Sequence, residues 1–347
     1  AARRSVFIVG WDIDSRTPLI GPDGEKDDEL PLEFGAFISA LVARRPELQV
    51  HLLLWDYSML YALEREPLPA MKLDWSTPPQ ISVCLDDVLP LGASHHQKVV
   101  VIDDAVAFSG GLDLAIRRWD TSDHDMDNPR RRDPGGARYR PFHDIQMMVD
   151  GAAALALAEL VRKRWERAAC ETPPPPSAEG DPWPDGFTPD FTHTRVGIAR
   201  TLPPYGDDAE VREVEQLFLS SIAAAENAIY IENQFLTTQS LCGALIERLE
   251  ERQDLEVLIV APNVHQSWLE ERSMNAGRRR FMERLSQAGV AERVRLVYPT
   301  LPGDDTGEGV MVHAKLMIVD DRLLRVGSAN LNNRSMGTDT ECDLALE

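Results

Sequence analysis

The sequence predicts an α/β protein built from two pseudo-twofold-related α/β/α sandwich units with mixed, largely parallel sheets. The first observation behind this prediction is an internal repeat: residues 96–113 read HQKVVVIDDAVAFSGGLD, and residues 313–330 read HAKLMIVDDRLLRVGSAN. A constant shift of 217 positions superimposes the two segments without a gap. The second observation is that each segment follows an apolar strand, an amphipathic helix and another apolar strand, an alternation typical of helix-covered sheets. Two such units would pack about a pseudo-twofold axis.

Hydrophobic periodicity places these elements along both units. In the first unit, the predicted strand, helix and strand cover residues 5–10, 32–45 and 50–55. In the second unit, the corresponding elements cover residues 228–231, 241–253 and 256–261. Further strands are predicted to begin at Asp144 and at Glu341. The Ala/Leu-rich run of residues 151–161 is too short to cross a bilayer, so a packed helix is expected there.

A proline-rich segment separates the two units. It contains four consecutive prolines at residues 173–176, and proline fixes its own backbone angle and restricts the residue before it. Such a segment forms a stiff, extended connection. We therefore divide the chain into a first repeat at residues 1–170, a linker at residues 171–195 and a second repeat at residues 196–347.

Each repeat begins with a His-x-Lys pattern, formed by His96 with Lys98 and by His313 with Lys315. Side chains two positions apart on a strand point to the same face, roughly 6.5 to 7 Å apart. An ammonium group beside an imidazole suits a phosphate, because the cation neutralises non-bridging oxygens while the histidine acts on phosphorus or on the leaving oxygen. The two copies are predicted to form one active site at the interface of the units. A metal site is the other chemical interpretation, but each copy offers one histidine and no cysteine, so we expect neither metal nor cofactor.

Asp103 and Asp320 complete the two patterns of candidate catalytic residues. Each is followed by a second aspartate at the point where the apolar run stops, which predicts a tight turn between two strands. We therefore expect a structural or ion-pairing role for both motif aspartates.

Small residues follow each motif aspartate at a distance of seven positions, as Gly-Gly in the first repeat and as Gly-Ser in the second. Absent or short side chains let backbone N–H groups approach an anion closely, and the serine adds a hydroxyl donor. An aspartate and an asparagine follow at matched positions. The candidate phosphate-binding residues are therefore Gly110, Gly111, Asp113, Ser328 and Asn330.

A reactive imidazole usually needs a carboxylate that fixes its tautomer and stabilises its charged form. Asp144 and Glu341 open equivalent strands after the small-residue loops. We expect Asp144 to orient His96 and Glu341 to orient His313. The two sequence distances differ, 48 against 28 residues, because the first unit carries a longer, Arg-rich insertion around residues 123–140.

The composition narrows the classes of function. The formal net charge of -21, from 57 acidic against 36 basic residues, disfavours tracking of a nucleic acid backbone. Four cysteines, at positions 84, 170, 242 and 342, show no metal-like spacing and are too sparse for a disulfide scaffold, so free and mostly buried thiols are expected. Neither an initiator methionine nor a secretory pattern opens the chain, and it ends inside an alternating run, so we expect a segment of a longer protein.

With these residues established, the chain resembles the phospholipase D superfamily, whose hallmark is two copies of His-x-Lys-x4-Asp followed by Gly-Gly or Gly-Ser. The resemblance to the phospholipid-cleaving branch lies in residues 95–98 (HHQK), 118–120 (RWD), 142–144 (FHD), 231–235 (IENQF) and 327–330 (GSAN). It covers nearly the whole chain in the family's order. It departs at Phe142, where the eukaryotic-like enzymes typically have tryptophan.

The resemblance implies a two-step displacement on a phosphatidylcholine-like glycerophospholipid at a membrane surface. His96 would attack phosphorus to form a phosphohistidine while His313 protonates the departing alcohol. Water would then complete hydrolysis, or a second alcohol would complete transphosphatidylation. No nucleic acid partner is expected, and the expected location is cytoplasmic or peripheral to a membrane.

Three alternatives stay open. A superfamily nuclease would use the same site on nucleic acid, and a phosphatidyl transferase of the cardiolipin synthase type would use a lipid alcohol as acceptor. From a different class, an inactive lipid- or protein-binding scaffold generally loses a catalytic residue, whereas both copies are complete in this chain. No run of about 20 apolar residues is present that could cross a bilayer, which counts weakly against the transferase.

Overall fold

The first unit is built on a six-stranded sheet. The computed structural model describes residues 2–21, 29–56, 78–168, 171, 173–176, 183–184, 186–264 and 268–347, with the backbone alone described for residues 268–274. The strand order of this sheet is β3-β2-β1-β4-β5-β7. Its strands are β1 (Ser5–Gly10), β2 (Gln49–Trp55), β3 (Ile81–Asp86), β4 (Val99–Ile102), β5 (Val106–Gly110) and β7 (Gln146–Asp150). A short strand, β6 (Phe142–His143), lies outside this sheet.

The second unit is built on an eight-stranded sheet with the order β12-β11-β10-β14-β15-β16-β8-β9. Its strands are β8 (Val196–Leu202), β9 (Val211–Arg212), β10 (Ala228–Asn233), β11 (Glu256–Val260), β12 (Val294–Val297), β14 (Lys315–Val319), β15 (Leu323–Gly327) and β16 (Glu341–Leu346). The short strand β13 (Met311–Val312) pairs with β6 in a separate two-stranded sheet.

Both sheets are mixed, which confirms the predicted α/β architecture. In each unit, the three strands on one side pair parallel: β1, β2 and β3 in the first, and β10, β11 and β12 in the second. The other pairs within these two sheets are antiparallel among the described strands. The parallel share is smaller than expected, because each motif strand turns back through a hairpin and hairpin strands pair antiparallel.

Helices cover the sheets and complete the core. They are α1 (Phe34–Arg44), α2 (Gly151–Arg167), α3 (Glu213–Ala224), α4 (Gln239–Glu251), α5 (Trp268–Gln287) and α6 (Asn333–Gly337). The helix predicted at residues 151–161 is confirmed as α2, whose Leu157 and Val161 pack with Val99 of the first sheet. The same cluster includes Cys342 and Leu344 of β16, so a shared apolar core joins the two units.

Two short parallel contacts connect the units at their polar edge. Strand β13 pairs with β6 through Met311 with Phe142 and Val312 with His143. In the pseudo-symmetric position, His95 forms an isolated parallel bridge with Thr340. The first contact places Val312, which precedes His313, beside His143, which precedes Asp144. The second contact places His95, which precedes His96, beside Thr340, which precedes Glu341.

The cysteines correct one expectation from the sequence. Cys242 and Cys342 are buried free thiols, but Cys84 is disulfide-bonded, and its partner lies outside the described residues. Sequence spacing could not predict this bond, because it depends on β3 lying beside the end of α2, where Cys84 Sγ is 3.9 Å from Ala168 O. Among the described residues, no helix has the length and apolar character needed to span a membrane.

Candidate active site

The two His-x-Lys pairs occupy equivalent positions at the start of β4 and β14. Within each pair, the lysine ammonium donates a hydrogen bond to the carbonyl oxygen of its own histidine, at 3.0 Å for Lys98 Nζ to His96 O and likewise for Lys315 and His313. Both lysine side chains are almost fully buried. Buried cations of this kind are held ready for an anion, because few water molecules compete for them.

Each motif histidine contacts a carboxylate from the other unit. His96 Nδ1 lies 3.0 Å from Glu341 Oε2, and His313 Nδ1 lies 2.7 Å from Asp144 Oδ2. Both carboxylates were predicted from the sequence, but the predicted pairing of Asp144 with His96 and of Glu341 with His313 is wrong. The reason is the pair of interunit contacts at His95–Thr340 and β6–β13, which set each carboxylate against the opposite unit. With Nδ1 directed to a carboxylate, Nε2 is the ring nitrogen available for chemistry.

Burial shifts the pKa of both residues in the Asp144–His313 pair. It raises the pKa of Asp144 to about 6. It also lowers the pKa of His313 well below the ordinary 6.5, and the cations Lys315, Arg118 and Lys98 lower it further. His313 is therefore neutral in the empty site. Since Lys98 and Arg118 belong to the first unit, their effect on His313 indicates that both units contribute charge to one site.

Lys98 and Lys315 differ in their partners. Lys98 Nζ forms an ion pair with Asp113 Oδ2 at 3.1 Å, and the same carboxylate accepts a hydrogen bond from Trp11 N at 2.9 Å. Burial opposes ionisation of Asp113, but Lys98 and the neighbouring His96 and Arg118 lower its pKa. Asp113 thus contacts Lys98 and the backbone of Trp11, and its predicted role in phosphate binding stays a prediction. Burial lowers the pKa of Lys315 to about 8.

The glycines after the motifs make room for neighbouring strands. A Cβ atom at Gly111 would collide with Asp144 Oδ1, and one at Gly110 would collide with Ile145 O. A Cβ atom at Gly327 would collide with Asp343 Oδ1. The prediction that these glycines let an anionic substrate approach stays a prediction. The close approach that the structure shows is made by the chain that carries the site carboxylates.

The second repeat uses its matched polar residues to support the site. The Ser328 hydroxyl donates to Glu341 Oε2 and accepts from Cys342 N at 3.0 Å, so its proton is directed to the carboxylate and not to a substrate phosphate. Asn330 is buried, and its backbone N–H donates to Ser335 Oγ at 3.0 Å. Asn330 Oδ1 has no hydrogen-bond partner among the described residues, which leaves it available to the site.

The motif aspartates bind backbone at the far end of the motif strands. Asp103 accepts hydrogen bonds from the N–H groups of Arg3, Arg4 and Ser5 at 2.7 to 2.8 Å, where β1 begins. Asp320 accepts from the N–H groups of residues 226–228 at 2.6 to 2.8 Å, where β10 begins. Both lie in two-residue turns with φ near 52°, which aspartate tolerates better than most residues. This geometry supports the structural role expected for both.

A buried polar network behind His96 was not foreseen. His95 Nε2 lies 2.9 Å from Asp86 Oδ2, which also accepts from Arg164 Nε of α2 at 2.8 Å. His95 Nδ1 lies 3.2 Å from Thr340 Oγ1. Burial lowers the pKa of His95 to about 4, so its ring is neutral. These contacts fix Thr340, and with it the neighbouring Glu341. The adjacent histidines 95 and 96 were the only sequence signal for this network.

The other side of the site has a more exposed polar cluster. His143 Nε2 lies 2.7 Å from Glu232 Oε2, and Tyr230 donates its hydroxyl to Glu232 Oε1 at 2.6 Å. The hydrogen bond to Glu232 raises the pKa of His143. This interunit pair stands directly behind Asp144. Within the described ranges, no group of His, Cys, Asp and Glu is arranged to hold a metal ion.

A cavity of about 160 Å³ opens beside the Asp144–His313 pair, and Arg118, Phe142 and Asp144 are among the residues that line it. The Phe142 ring lies 5.4 Å from the His313 ring between centroids. Phenylalanine therefore occupies the wall where the sequence comparison anticipated tryptophan. The site consists of two imidazoles and two buried ammonium groups, and the cation of Arg118 lines the cavity next to it, an arrangement suited to a phosphate ester.

This chain is similar in sequence to known proteins. A family model described as "Phospholipase D" matches residues 88–174, and a model described as "Cardiolipin synthase, PLD-like domain" matches residues 218–347. Phospholipase D1 of Schizosaccharomyces pombe is 27% identical over 335 residues, which cover 73% of this chain and 24% of that protein. Phospholipase D A of Dictyostelium discoideum is 24% identical over 405 residues, which cover 99% of this chain and 31% of that protein. The chain thus spans about a quarter to a third of the length of these relatives.

A solved structure supports the fold. Phosphatidylserine synthase of Haemophilus influenzae Rd KW20 superimposes with a TM-score of 0.56 at 14% identity, over 99% of this chain and 77% of that chain. The similarity therefore extends over both sheets of this chain.

Proposed function

We propose that this chain, which belongs to the phospholipase D superfamily, hydrolyses a phosphatidylcholine-like glycerophospholipid to phosphatidic acid and the free headgroup alcohol. The observation that carries the proposal is the reciprocal pairing of two imidazoles with two carboxylates beside two buried lysines. This arrangement supplies a nucleophile, an acid and positive charge for one phosphodiester. The low-identity relatives named phospholipase D support a phospholipid as substrate.

In the first step, His96 Nε2 attacks phosphorus while the bond from phosphorus to the headgroup oxygen breaks. His313 Nε2 gives its proton to the departing alcohol, and a phosphohistidine remains on His96. His313 is neutral in the empty site because of burial and three nearby cations. Negative charge on the bound phosphate offsets those cations and raises the pKa of His313, which allows the ring to carry the proton that it donates.

In the second step, His313 accepts a proton from water, the resulting hydroxide attacks phosphorus, and the bond to His96 breaks. An alcohol in place of water would yield a transphosphatidylation product by the same path. Lys98 and Lys315 stabilise the negative charge that builds on the non-bridging oxygens in both steps. Asp144 and Glu341 stabilise the charged rings and hold their Nε2 atoms toward phosphorus.

A phosphatidyl transferase is the second candidate function. The match of residues 218–347 to the model described as "Cardiolipin synthase, PLD-like domain" favours it. The chemistry differs only in the acceptor, which would be a lipid alcohol instead of water. A nuclease is less favoured, because a net charge of -21 opposes approach of a polyanion.

A substrate panel tests the proposal. Purified protein is incubated with phosphatidylcholine vesicles, with phosphatidylglycerol vesicles and with single-stranded DNA, each with and without chelator. We expect choline and phosphatidic acid from phosphatidylcholine, unaffected by chelator. Cardiolipin from phosphatidylglycerol without phosphatidic acid would identify the transferase, and DNA cleavage without lipid turnover would identify the nuclease.

Histidine variants test the site within the same panel. His96→Asn and His313→Asn should each abolish turnover, whereas His193→Asn, at an exposed position, should not. Near-wild-type activity in either motif variant would contradict the proposed site. Rapid denaturation in alkali followed by peptide mass spectrometry should find the phosphatidyl group on the peptide that contains His96. Label on the His313 peptide alone would reverse the roles of the two histidines.

A further inference from the structure

Arg118, which follows the first motif, differs in its contacts from Arg117 and Arg131. Its Nε atom is buried and has no hydrogen-bond partner, and its guanidinium has no carboxylate partner within the described part of the chain. By contrast, the neighbouring Arg117 pairs with Asp133 at 2.6 Å, and Arg131 pairs with Asp120 at 2.8 Å. A buried N–H donor without an acceptor is costly, so a ligand in the cavity beside Arg118 would supply the acceptor that its Nε lacks.

The position of Arg118 points toward the reacting groups. Its guanidinium lies 4.9 Å from the centroid of the Phe142 ring, which in turn lies 5.4 Å from the His313 ring. Arg118 lines the same cavity of about 160 Å³ as Asp144. Its charge acts on Lys315 from the second unit and on Asp113 from the first. Arg118 therefore lies near Lys315 and near Asp113, the carboxylate that pairs with Lys98.

The second repeat has no counterpart to this cation. The shift of 217 positions that superimposes the motifs brings Arg118 onto Ser335. The Ser335 hydroxyl accepts a hydrogen bond from Asn330 N at 3.0 Å and is buried. Arg118 thus lies on the side of the site that holds Asp144 and His313, and its matched position in the second repeat is the uncharged Ser335. The two halves of the duplicated site are therefore unequal in charge.

We propose that Arg118 is a substrate-binding residue that holds a non-bridging oxygen of the scissile phosphate, together with Lys98 and Lys315. This inference rests on the proposed function and deepens it. A guanidinium presents two parallel N–H donors that match two oxygens of a phosphate, whereas each lysine offers a single point charge. Arg118 therefore adds orientation to a site whose lysines supply charge.

Binding of inorganic phosphate to the full chain tests this inference without relying on turnover. Titration calorimetry should give a dissociation constant roughly 10- to 100-fold higher for Arg118→Ala, the loss that follows removal of a charge-assisted hydrogen bond. Arg118→Lys should fall between Arg118→Ala and the wild type, because it keeps the charge and loses the fork. Arg117→Gln is the matched control, and its dissociation constant should equal that of the wild type. Wild-type phosphate affinity in a folded Arg118→Ala protein would overturn the inference.

A second measurement separates the scissile phosphate from a headgroup carboxylate as the anion that Arg118 holds. The value of kcat/KM for Arg118→Ala is compared on phosphatidylcholine and phosphatidylserine vesicles. An equal loss on both lipids supports binding to the phosphate, and a loss confined to phosphatidylserine would overturn it. If the wild type binds inorganic phosphate and cleaves neither lipid, the proposed function fails while the calorimetry still decides the role of Arg118.

Discussion

Asp144 Oδ2 lies 2.7 Å from His313 Nδ1, although the two residues stand on opposite sides of the linker between the repeats. Glu341 and His96 make the reciprocal contact at 3.0 Å. Each imidazole is thus oriented by a side chain from the other unit, and the site depends on how the units are packed as much as on either motif.

The crossed contacts predict which histidine each carboxylate controls. We expect Asp144→Asn and Glu341→Gln to lower kcat by about 10² to 10⁴-fold, because an amide cannot stabilise a charged ring or fix its tautomer equally well. Histidine ring ¹⁵N signals in NMR should show a changed Nδ1 environment at His313 in Asp144→Asn and at His96 in Glu341→Gln. Glu213→Gln removes a carboxylate from an exposed pair with Arg200 and serves as control. A changed His96 ring signal in Asp144→Asn, with the His313 signal unaltered, would contradict the crossed arrangement.

Lys315 predicts the alkaline limit of activity. Burial lowers its pKa to about 8, so the ammonium loses its proton and its charge as pH rises through that value. The value of kcat/KM should therefore fall above about pH 8. Lys315→Arg should keep its charge, and the alkaline fall should move to higher pH. An unchanged alkaline limb in this variant would assign the limb to another group.

The lowered pKa of Lys315 also affects stability, and this effect increases with pH where activity is expected to decrease. Between about pH 8 and the ordinary lysine value of 10.5, the unfolded chain binds more protons at this residue than the folded chain does. The contribution of Lys315 to the free energy of unfolding therefore rises with pH across that window. Chemical denaturation of the wild type and of Lys315→Met should reveal a difference that changes in this direction.

Asp103 should matter for stability and not for chemistry. It accepts three backbone hydrogen bonds at the start of β1, and an amide oxygen without charge would replace them poorly. We expect Asp103→Asn to lower the free energy of unfolding by about 1 to 3 kcal/mol and to leave kcat of the folded protein unchanged. Asparagine also tolerates the positive φ at this position, so backbone strain does not confuse the result. A large loss of kcat at wild-type stability would give Asp103 a chemical role.

Arg325 and Asp343 form an ion pair in which both side chains are fully buried. The Arg325 guanidinium also lies over the Phe218 ring, 3.5 Å from its centroid. Asp343→Asn would leave a buried cation unpaired and should lower the free energy of unfolding by about 3 to 5 kcal/mol. Glu213→Gln, which opens an exposed pair, should cost less than about 1 kcal/mol in the same denaturation experiment. Equal losses in the two variants would contradict the importance of burial.

Much of the fold could be predicted from local patterns. The strand at residues 5–10 is confirmed as β1, and the helix at residues 32–45 is confirmed as α1 with slightly narrower bounds. The tandem aspartates predicted a tight turn, and Asp103 and Asp104 both adopt the positive φ of a two-residue hairpin turn. These features depend on neighbouring residues, so alternation and turn composition are sufficient to find them.

Contacts between the units could not be predicted in the same way. The exchange of Asp144 and Glu341 depends on β6 pairing with β13, a contact between residues far apart in the chain. The crowding at Gly327 depends on how closely β16 approaches, which a sequence does not encode locally. Arg118 lies in a segment that resembles the family, but the unpartnered Nε that distinguishes it from Arg117 and Arg131 is visible only in the structure.

The backbone hydrogen bonds of Asp103 and Asp320 give a structural reason for the spacing of the repeated motif. Each aspartate accepts hydrogen bonds from the first residues of a central strand, and each histidine lies at the opposite end of the motif strand. The seven steps between them correspond to about 23 Å of extended chain. The length of the motif therefore sets the distance between the aspartate at one edge of the sheet and the histidine at the other. Inserting a single residue between Lys98 and Asp103 would invert the alternation and turn the ammonium to the opposite face of the sheet.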